Sequence, residues 1–303
     1  MNKATRLFIS LLSCLISSSF AKNYVTNFVH KYGRLGHQLT AYIVAKHTAR
    51  QYNAEYLFNP FPLSNALVLH HQEKHLSRQQ QFKKTLLIRS QESLDQALAK
   101  SDCDETLFII RGGFLSGFHR DPSILEPHFR MKLCGLIKPI KPIRPINIPQ
   151  NATSVAMHVR RGDVVNNSHR LNEKWHYDSY YIAKLRHLLD ELPPELSVYI
   201  HIFTDDPNPK KIAKKYQQAI EKTVKTTSCK QQITFDSSYL EEDTRRTVNM
   251  FNWDNSSQKA ENILAAFFNM ASFDYLIRPV SSGFSVMAEL IGNHKKVLWG
   301  LEK

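Results

Sequence analysis

Residues 156–163 read AMHVRRGD, an apolar run followed by two arginines, a glycine and an aspartate. The run from Ser154 to His158 has the composition of a buried strand, so the arginines stand at its carboxyl end. Parallel α/β sheets bind their ligands at that end of the strands. A guanidinium matches a pair of phosphate oxygens and keeps its charge at physiological pH. The stretch predicts a phosphate site at the mouth of a strand, and the alternative is an exposed turn with a local ion pair.

The two arginines are expected to have different tasks. Side chains alternate along extended backbone, so Arg160 and Arg161 point in opposite directions. We expect one of them to face the ligand while the other braces the loop. Gly162 allows the chain to turn, and Asp163 can neutralise or orient the arginine that the ligand does not use.

Segments with strand-like and helix-like patterns alternate along the whole chain. The predicted strands are 24–29, 56–58, 86–88, 107–110, 154–158, 198–203 and 275–277. The predicted helices are 38–51, 177–189, 210–222, 260–271 and 284–291, with a turn at 33–36. Such alternation predicts an α/β protein with parallel sheets and helices on both faces.

A proline-rich stretch divides this alternation into two runs. Residues 138–149 read KPIKPIRPINIP, and each proline fixes φ and removes a backbone donor, so neither a helix nor a central strand can form there. We predict an N-terminal Rossmann-like domain over residues 22–137, an extended linker over 138–149 and a C-terminal Rossmann-like domain over 150–303.

The first 21 residues have the layout of a secretory signal peptide. Lys3 and Arg6 precede an apolar run at 7–16, and residues 19–21, SFA, supply a cleavage site. We therefore expect a secretory route to a periplasm, a lumen or the medium. An uncleaved signal anchor, which would tether the protein to a membrane, is the alternative.

The charge of the chain limits its partners. The 303 residues carry a formal net charge of +13, which favours polyanions, acidic membranes or phosphorylated small molecules. There is no zinc-finger, RNP or basic-zipper pattern, so we expect no nucleic-acid partner. The sequence gives no oligomeric state.

Patterns that would hold a metal ion are weak. His71 and His75 have the spacing of zinc ligands on a helix, but no glutamate stands where a metalloprotease needs it. The triplet DCD at 102–104 precedes a strand instead of following one, and DDP at 205–207 indicates a turn and a helix start. The four cysteines show no zinc or disulfide-scaffold spacing. We expect neither a metal ion nor another cofactor.

Four segments together resemble one family. HVRRGD at 158–163 resembles the His-x-Arg-Arg-Gly-Asp motif of the α1,2-, α1,6- and some protein O-fucosyltransferases. GRLGHQL at 33–39 is similar to the Gly-x-Leu-Gly-Asn-Gln loop of the α1,2 family, and GGFLSGF at 112–118 is similar to its glycine-aromatic segment. SSGFSVMAEL at 281–290 resembles its Ser-Ser-x-Phe-Ser-x-x-Ala-x-Leu segment. The four segments occur in the family's order.

The resemblance implies a GT-B architecture, in which two Rossmann-like domains face each other across a cleft. The donor would be GDP-fucose, held mainly by the C-terminal domain, and the N-terminal domain would lie on the acceptor side. The implied reaction is an inverting transfer of L-fucose to a glycan hydroxyl, of the α1,2 type on a galactose-containing acceptor. The resemblance implies no metal ion, because a guanidinium and helix-terminal N–H groups can stabilise the departing GDP by about 3–4 kcal/mol.

Carried over residue by residue, the resemblance makes Arg160 the main contact to the donor pyrophosphate. We expect Asp163 and His37 to take part in catalysis beside it. The donor-binding residues that it implies with Arg160 are His158, Arg161, Gly36, Ser281, Ser282 and Phe284. The last three would form a phosphate-binding turn at a helix start, where unpaired N–H groups and the helix dipole attract an anion.

Two positions depart from the family. His37 stands where the loop usually has Asn, and a neutral imidazole there can serve as a general base. Ala266 stands where relatives carry an Asp near the guanine, and Glu261 is the candidate substitute. These departures keep a second interpretation open, a secreted and non-catalytic relative that binds a glycan or a nucleotide sugar.

Overall fold

The computed structural model describes residues 23–30, 34–100, 105–111, 121–161, 176–224, 231–240 and 258–300. Within them the chain forms two sheets, in which every strand pair is parallel. The first sheet consists of β1 (Tyr24–Asn27), β2 (Glu55–Leu57), β3 (Lys84–Ile88) and β4 (Thr106–Ile110). The second consists of β5 (Thr153–Val159), β6 (Val198–Thr204), β7 (Ile233–Tyr239), β8 (Tyr275–Ile277) and β9 (Lys296–Leu298).

Helices connect the strands, as parallel pairing requires. Those of the first half are α1 (Leu35–Gln51), α2 (Val68–Gln72), α3 (Gln91–Lys100) and α4 (Pro127–Leu136). Those of the second half are α5 (Asp178–Glu191), α6 (Pro209–Val224), α7 (Gln258–Ser272) and α8 (Gly283–Ile291). The α/β architecture with parallel sheets is therefore confirmed.

Each sheet reverses its strand order at one point. The first has the order β2-β1-β4-β3, and the second has β7-β6-β5-β8-β9. In the second sheet the chain runs outward from β5 to β7 and then returns to the other side of β5. The connections that leave β5 and β8 at their carboxyl ends diverge there and open a crevice, where doubly wound sheets bind ligands. In the first sheet the strand order reverses between β1 and β4, and α1 follows β1.

Side chains along β5 alternate between two hydrophobic cores. Val155, Met157 and Val159 pack with α5 and α6 in one core. Ala156 faces the other core, in which α7 and α8 pack together with the helices and strands of the first half. Because both of its faces are covered, β5 needs apolar residues at consecutive positions, and that requirement explains its continuous apolar run.

All seven predicted strands are present, with their ends shifted by at most two residues. The sequence prediction missed β7, β9 and the helices α2, α3 and α4. The segment ITFDSSY of β7 has polar residues and only half-buried apolar ones, because β7 is an edge strand of the second sheet. Its pattern lacks the continuous apolar run that made β5 and β6 recognisable.

Two local predictions are wrong. The turn expected at 33–36 is helical in its second half, since α1 begins at Leu35. The two histidines with zinc-ligand spacing do not share a helix: α2 ends at Gln72, and His75 lies beyond it. Among the described residues there is no cluster of three or more His, Cys, Asp or Glu side chains that could hold a metal ion.

The proline-rich stretch is extended and held against the fold. The Ile140 N–H donates to the carbonyl oxygen of Ala66 at 2.9 Å. The Ile146 N–H donates to Asn269 Oδ1 at 3.1 Å, and the Asn269 amide donates to the carbonyl oxygen of Arg144 at 3.0 Å. The isoleucines at 143, 146 and 148 pack against the core that the two halves share. The stretch therefore forms part of the packing between the sheets.

The predicted signal peptide lies outside the described residues. Within the described part of the chain, no helix combines the length and the hydropathy that crossing a bilayer requires.

Candidate functional site

A pocket lies where the two halves meet, at the carboxyl ends of both sheets. The first half contributes the start of α1 and one leucine: Arg34, Leu35, Gly36, His37 and Leu63. The second half contributes the ends of β5, β6 and β7 and the starts of α7 and α8: His158, Arg160, Asp205, Leu240, Ile263, Gly283 and Phe284. The chain reversals of the two sheets thus open onto one space.

Two helix N-termini touch at this pocket. A Cβ on Gly36 would lie 2.4 Å from the backbone nitrogen of Phe284, and a Cβ on Gly283 would lie 3.3 Å from the carbonyl carbon of Gly36. Only glycines allow the starts of α1 and α8 to approach this closely. N–H groups in the first turn of a helix have no intrahelical acceptor, and the positive ends of both helix dipoles point to the same place. Such a place favours an anion.

The start of α1 is held by a buried amide. Gln38 donates from Nε2 to the carbonyl oxygen of His30 at 2.8 Å and accepts from the His30 N–H at 3.2 Å. This pair of bonds replaces the backbone partners that the end of β1 lacks. Gln38 of the GRLGHQL segment therefore has a structural role. His37, the residue before it, is exposed on the pocket wall.

Charged side chains converge on the same space. Arg160 is largely buried, and its Nε lies 3.9 Å from Asp205 Oδ2. The other oxygen of Asp205 accepts the backbone N–H of Arg161, which fixes the carboxylate at the end of β6. Arg34 adds a second guanidinium from the first half. Among the described residues, the pocket lining has two guanidiniums and one carboxylate, so cations outnumber anions there.

His158 is a neutral imidazole beneath these charges. Its side chain is buried, and burial lowers its pKa to about 3, an effect that the nearby Arg160 guanidinium increases. The ring centroid lies 5.9 Å from that of Phe284. Among the described residues, no group hydrogen-bonds to His158 Nδ1. A buried, unsatisfied ring nitrogen at a pocket wall is a position from which a ligand group can be bound.

Arg161 points away from the pocket, which corrects its assignment as a donor-binding residue. It donates to Asp178 Oδ1, to the carbonyl oxygen of His176 at 2.8 Å and to the Tyr216 hydroxyl at 3.2 Å. Its guanidinium carbon lies 5.5 Å from the ring centroid of Tyr181. The brace that the sequence predicts for one of the two arginines is therefore Arg161.

The serine turn is more buried than expected. Ser281 and Ser282 are 5% and 1% exposed and lie outside the pocket lining, whereas Phe284 lines it. Ser282 precedes α8 but makes no side-chain cap bond, and its buried Oγ has no hydrogen-bond partner among the described residues. The remaining predicted catalytic residue, Asp163, and the segment 112–118 lie outside the described residues.

The sequence reasoning missed Arg34 and Asp205 as members of the site. Arg34 immediately precedes α1, in the connection that follows β1, just as Arg160 follows β5. This placement could have identified Arg34 as a candidate site residue. Asp205 was interpreted as part of a turn, yet it is 5% exposed and lines the pocket. On α7, Ile263 lines the pocket, while Ala266 packs against the core and Glu261 is exposed. Glu261, the candidate substitute for the family's aspartate, is not among the residues that line the pocket.

The fold is similar to that of solved fucosyltransferases. An Arabidopsis thaliana FUT1 mutant in complex with GDP matches with a TM-score of 0.51 and 12% identity, covering 98% of this chain and 74% of that one. POFUT1 in complex with GDP-fucose matches with a TM-score of 0.50 and 9% identity, covering 93% and 98%. The apo form of POFUT1 matches with a TM-score of 0.51 and 10% identity, covering 93% and 99%. No protein-family model and no curated protein matches the chain. The chain therefore has a GT-B fold like that of these fucosyltransferases.

Proposed function

We propose that this protein is a glycosyltransferase that transfers L-fucose from GDP-fucose to a glycan hydroxyl with inversion, in the α1,2 manner on a galactose-containing acceptor. One observation carries the proposal: two helix N-termini and two guanidiniums converge on one pocket at the strand-order reversals of both sheets. The solved GDP and GDP-fucose complexes of similar fold support this choice of donor.

The pocket chemistry suits a nucleoside diphosphate. Arg160 can bind a pair of phosphate oxygens, and Arg34 adds a guanidinium from the first half of the chain. The N–H groups at the start of α8 supply further donors without adding a charge that must be desolvated. Leu63, Leu240 and Ile263 provide apolar surface beside the charged groups. In this proposal residues 150–303 hold the donor and residues 22–137 form the acceptor side, in agreement with the sequence.

The reaction follows from where charge moves. The bond between the anomeric carbon and the β-phosphate oxygen breaks, and its electron pair remains on GDP. The acceptor oxygen forms the new bond from the opposite face, which inverts the centre, and loses its proton to a base. Arg160 stabilises the charge on the departing GDP, a role that is worth about 3–4 kcal/mol for a preorganised donor. Because the guanidiniums supply this stabilisation, we propose that no metal ion takes part.

His37 is our candidate for the base. It is exposed on the pocket wall of the acceptor half, and an imidazole changes charge near neutral pH. His37→Gln retains a polar side chain but cannot accept the proton. We expect turnover to fall about 10²-fold and to lose its rise with pH, since general base catalysis contributes about that much. A His37→Gln enzyme with wild-type turnover at every pH would remove His37 from the mechanism.

The first experiment measures GDP release from GDP-fucose without an acceptor, with and without EDTA. We expect slow hydrolysis that EDTA does not change and that Arg160→Ala abolishes. Arg50→Ala is the matched control, because Arg50 forms an exposed ion pair with Glu126 far along α1 from the pocket. Hydrolysis that survives in Arg160→Ala would contradict the proposal.

The non-catalytic interpretation predicts a different result in the same assay. A relative that binds the nucleotide sugar without catalysis binds GDP in calorimetry but releases none from GDP-fucose, and a relative that binds only a glycan does neither. Calorimetry with GDP, UDP and ADP also tests which nucleotide base the site selects. Tighter binding of GDP supports the proposed donor, and equal affinities contradict it.

We further propose that the protein follows the secretory route through residues 1–21, as a cleaved or membrane-anchored form. Sequencing the N-terminus of the exported protein distinguishes the two, because cleavage removes residues 1–21 and an anchor retains them.

A further inference from the structure

A guanidinium with no solvent exposure lies next to the turn that enters α8. Arg278 follows β8 directly, and its residue is 0% exposed. Burying a guanidinium is unfavourable unless the group is paired and its donors are used. The Arg278 Nε donates to Glu289 Oε2 at 2.6 Å, and the Arg278 Nη2 lies 2.6 Å from the same oxygen. The Trp299 ring centroid lies 4.6 Å from the guanidinium carbon.

The remaining donors of Arg278 bind the turn itself. The Arg278 Nη1 donates to the carbonyl oxygens of Pro279 and Val280, each at 3.0 Å. Because Glu289 lies within α8, the guanidinium connects the turn before the helix to the body of the helix. One side chain thereby joins the turn to the helix that follows it.

The other side of the turn is held from β5 and α5. The Val280 N–H donates to His176 Nε2 at 3.3 Å, and the His176 ring stacks on Tyr180 with 4.1 Å between centroids. The carbonyl oxygen of His176 accepts from Arg161 at 2.8 Å. Both backbone polar groups of Val280 are therefore bonded, one to His176 and one to Arg278.

We propose that Arg278 is a positioning residue, which holds the turn 279–282 so that the first N–H groups of α8 point into the pocket. The inference rests on the proposed function insofar as the ligand is a nucleoside diphosphate. Arg278 does not touch the ligand in this proposal, because it lies outside the pocket lining. It acts through the backbone carbonyl groups of Pro279 and Val280.

The test compares the two ends of β8. Arg278→Lys keeps the charge but removes the planar fork that reaches both Glu289 and the turn carbonyls. Asp274→Asn is the control, because Asp274 precedes β8 and accepts from the Ser154 N–H at 3.0 Å and from the Ser154 hydroxyl at 2.8 Å, at the other end of the strand. GDP affinity by calorimetry, amide hydrogen exchange without ligand and thermal stability are measured for both variants.

We expect Arg278→Lys to weaken GDP binding at least 10-fold and to accelerate amide exchange at 280–285. Asp274→Asn should lower thermal stability while leaving the GDP affinity and the amide exchange at 280–285 at their wild-type values. Glu289→Gln retains an acceptor for Arg278 and should give an intermediate loss of GDP affinity.

Two results would overturn the proposal. One is wild-type GDP affinity and exchange in a folded Arg278→Lys protein, and the other is an equal loss in Asp274→Asn at equal stability. If the wild-type protein binds no GDP, the proposed function fails, and the exchange measurement still decides whether Arg278 holds the turn.

Discussion

The two faces of the second sheet use adjacent arginines in different ways. On the face covered by α5 and α6, Arg161 donates to Asp178, to a backbone carbonyl and to Tyr216, all within the fold. On the face covered by α7 and α8, Arg160 lies in the pocket, with the carboxylate of Asp205 3.9 Å from its Nε. Adjacent residues therefore place one guanidinium inside the fold and the other in the pocket.

The difference shows how a strand end distributes charge. A charge that is buried permanently needs fixed partners, and the outer face supplies them from α5 and α6. On the pocket face, the Asp205 carboxylate lies 3.9 Å from Arg160 Nε, which is close enough for charge attraction but beyond hydrogen-bond distance. Because successive side chains point to opposite faces of a strand, neither arginine can take the place of the other.

Exchanging each arginine for lysine should separate the two roles most strongly. We expect Arg160→Lys to lower the rate of GDP-fucose hydrolysis about 10²–10³-fold with little change in stability, because lysine lacks the fork that binds two phosphate oxygens. Arg161→Lys should instead lower the free energy of unfolding by about 2–3 kcal/mol, since hydrogen bonds to the Asp178 carboxylate and to its neutral partners are lost. Urea unfolding and the hydrolysis assay on both variants test this. Loss of stability in Arg160→Lys and loss of activity alone in Arg161→Lys would contradict the two assignments.

The contact between the helix starts should have the next largest effect. Gly36→Ala places a Cβ 2.4 Å from the Phe284 nitrogen, so α1 and α8 must separate. We expect a loss of about 1–3 kcal/mol of stability and weaker GDP binding. Gly135→Ala is the control: a Cβ there meets nothing within 4 Å, and within α4 it should stabilise the protein by about 0.5–1 kcal/mol. Equal responses of the two variants would contradict the role of the glycine contact.

The pH dependence of stability should also differ between the faces, by an amount that is small within any one pH unit. On the pocket face the pKa of His158 falls from 6.5 to about 3 on folding, so the unfolded chain binds more protons between these values. The free energy of unfolding therefore decreases as pH falls through this window. His158→Gln should make that slope shallower by about 1.4 kcal/mol per pH unit.

On the outer face the corresponding window is more acidic. Burial raises the pKa of Asp178, but hydrogen bonds from Lys215, Tyr216 and Arg161 together bring it below its ordinary value of 3.8. Its contribution to stability is present above that value and is lost as pH falls below it. Asp178→Asn should therefore alter the pH dependence only in this acidic range. Urea unfolding across pH tests both variants, and a change in slope near pH 6 in Asp178→Asn would contradict the assignment.

Most of the fold could be predicted because strands buried on both faces leave a continuous apolar signal. β5 and β6 were recognisable for that reason, whereas the edge strand β7 and the three-residue strand β9 were not. The site was predictable where it coincides with a strand end or a helix start. Arg160, Gly36, His37, His158 and Phe284 all line the pocket. Arg34 was missed because its place in the pocket depends on the approach of the two halves. Asp205 was missed because its sequence context indicated only a turn, whereas the structure buries its carboxylate beside Arg160.

The sequence by itself determined that two runs of alternating strands and helices would form parallel sheets, and that the arginines would stand at a strand end on opposite faces. Periodicity and local backbone geometry are sufficient for both statements. Only the tertiary structure decided which arginine faces the pocket, since that depends on which helices cover each face of β5. It also decided that α1 and α8 start at the same place, because contacts such as that of Gly36 with Gly283 join residues far apart in the chain.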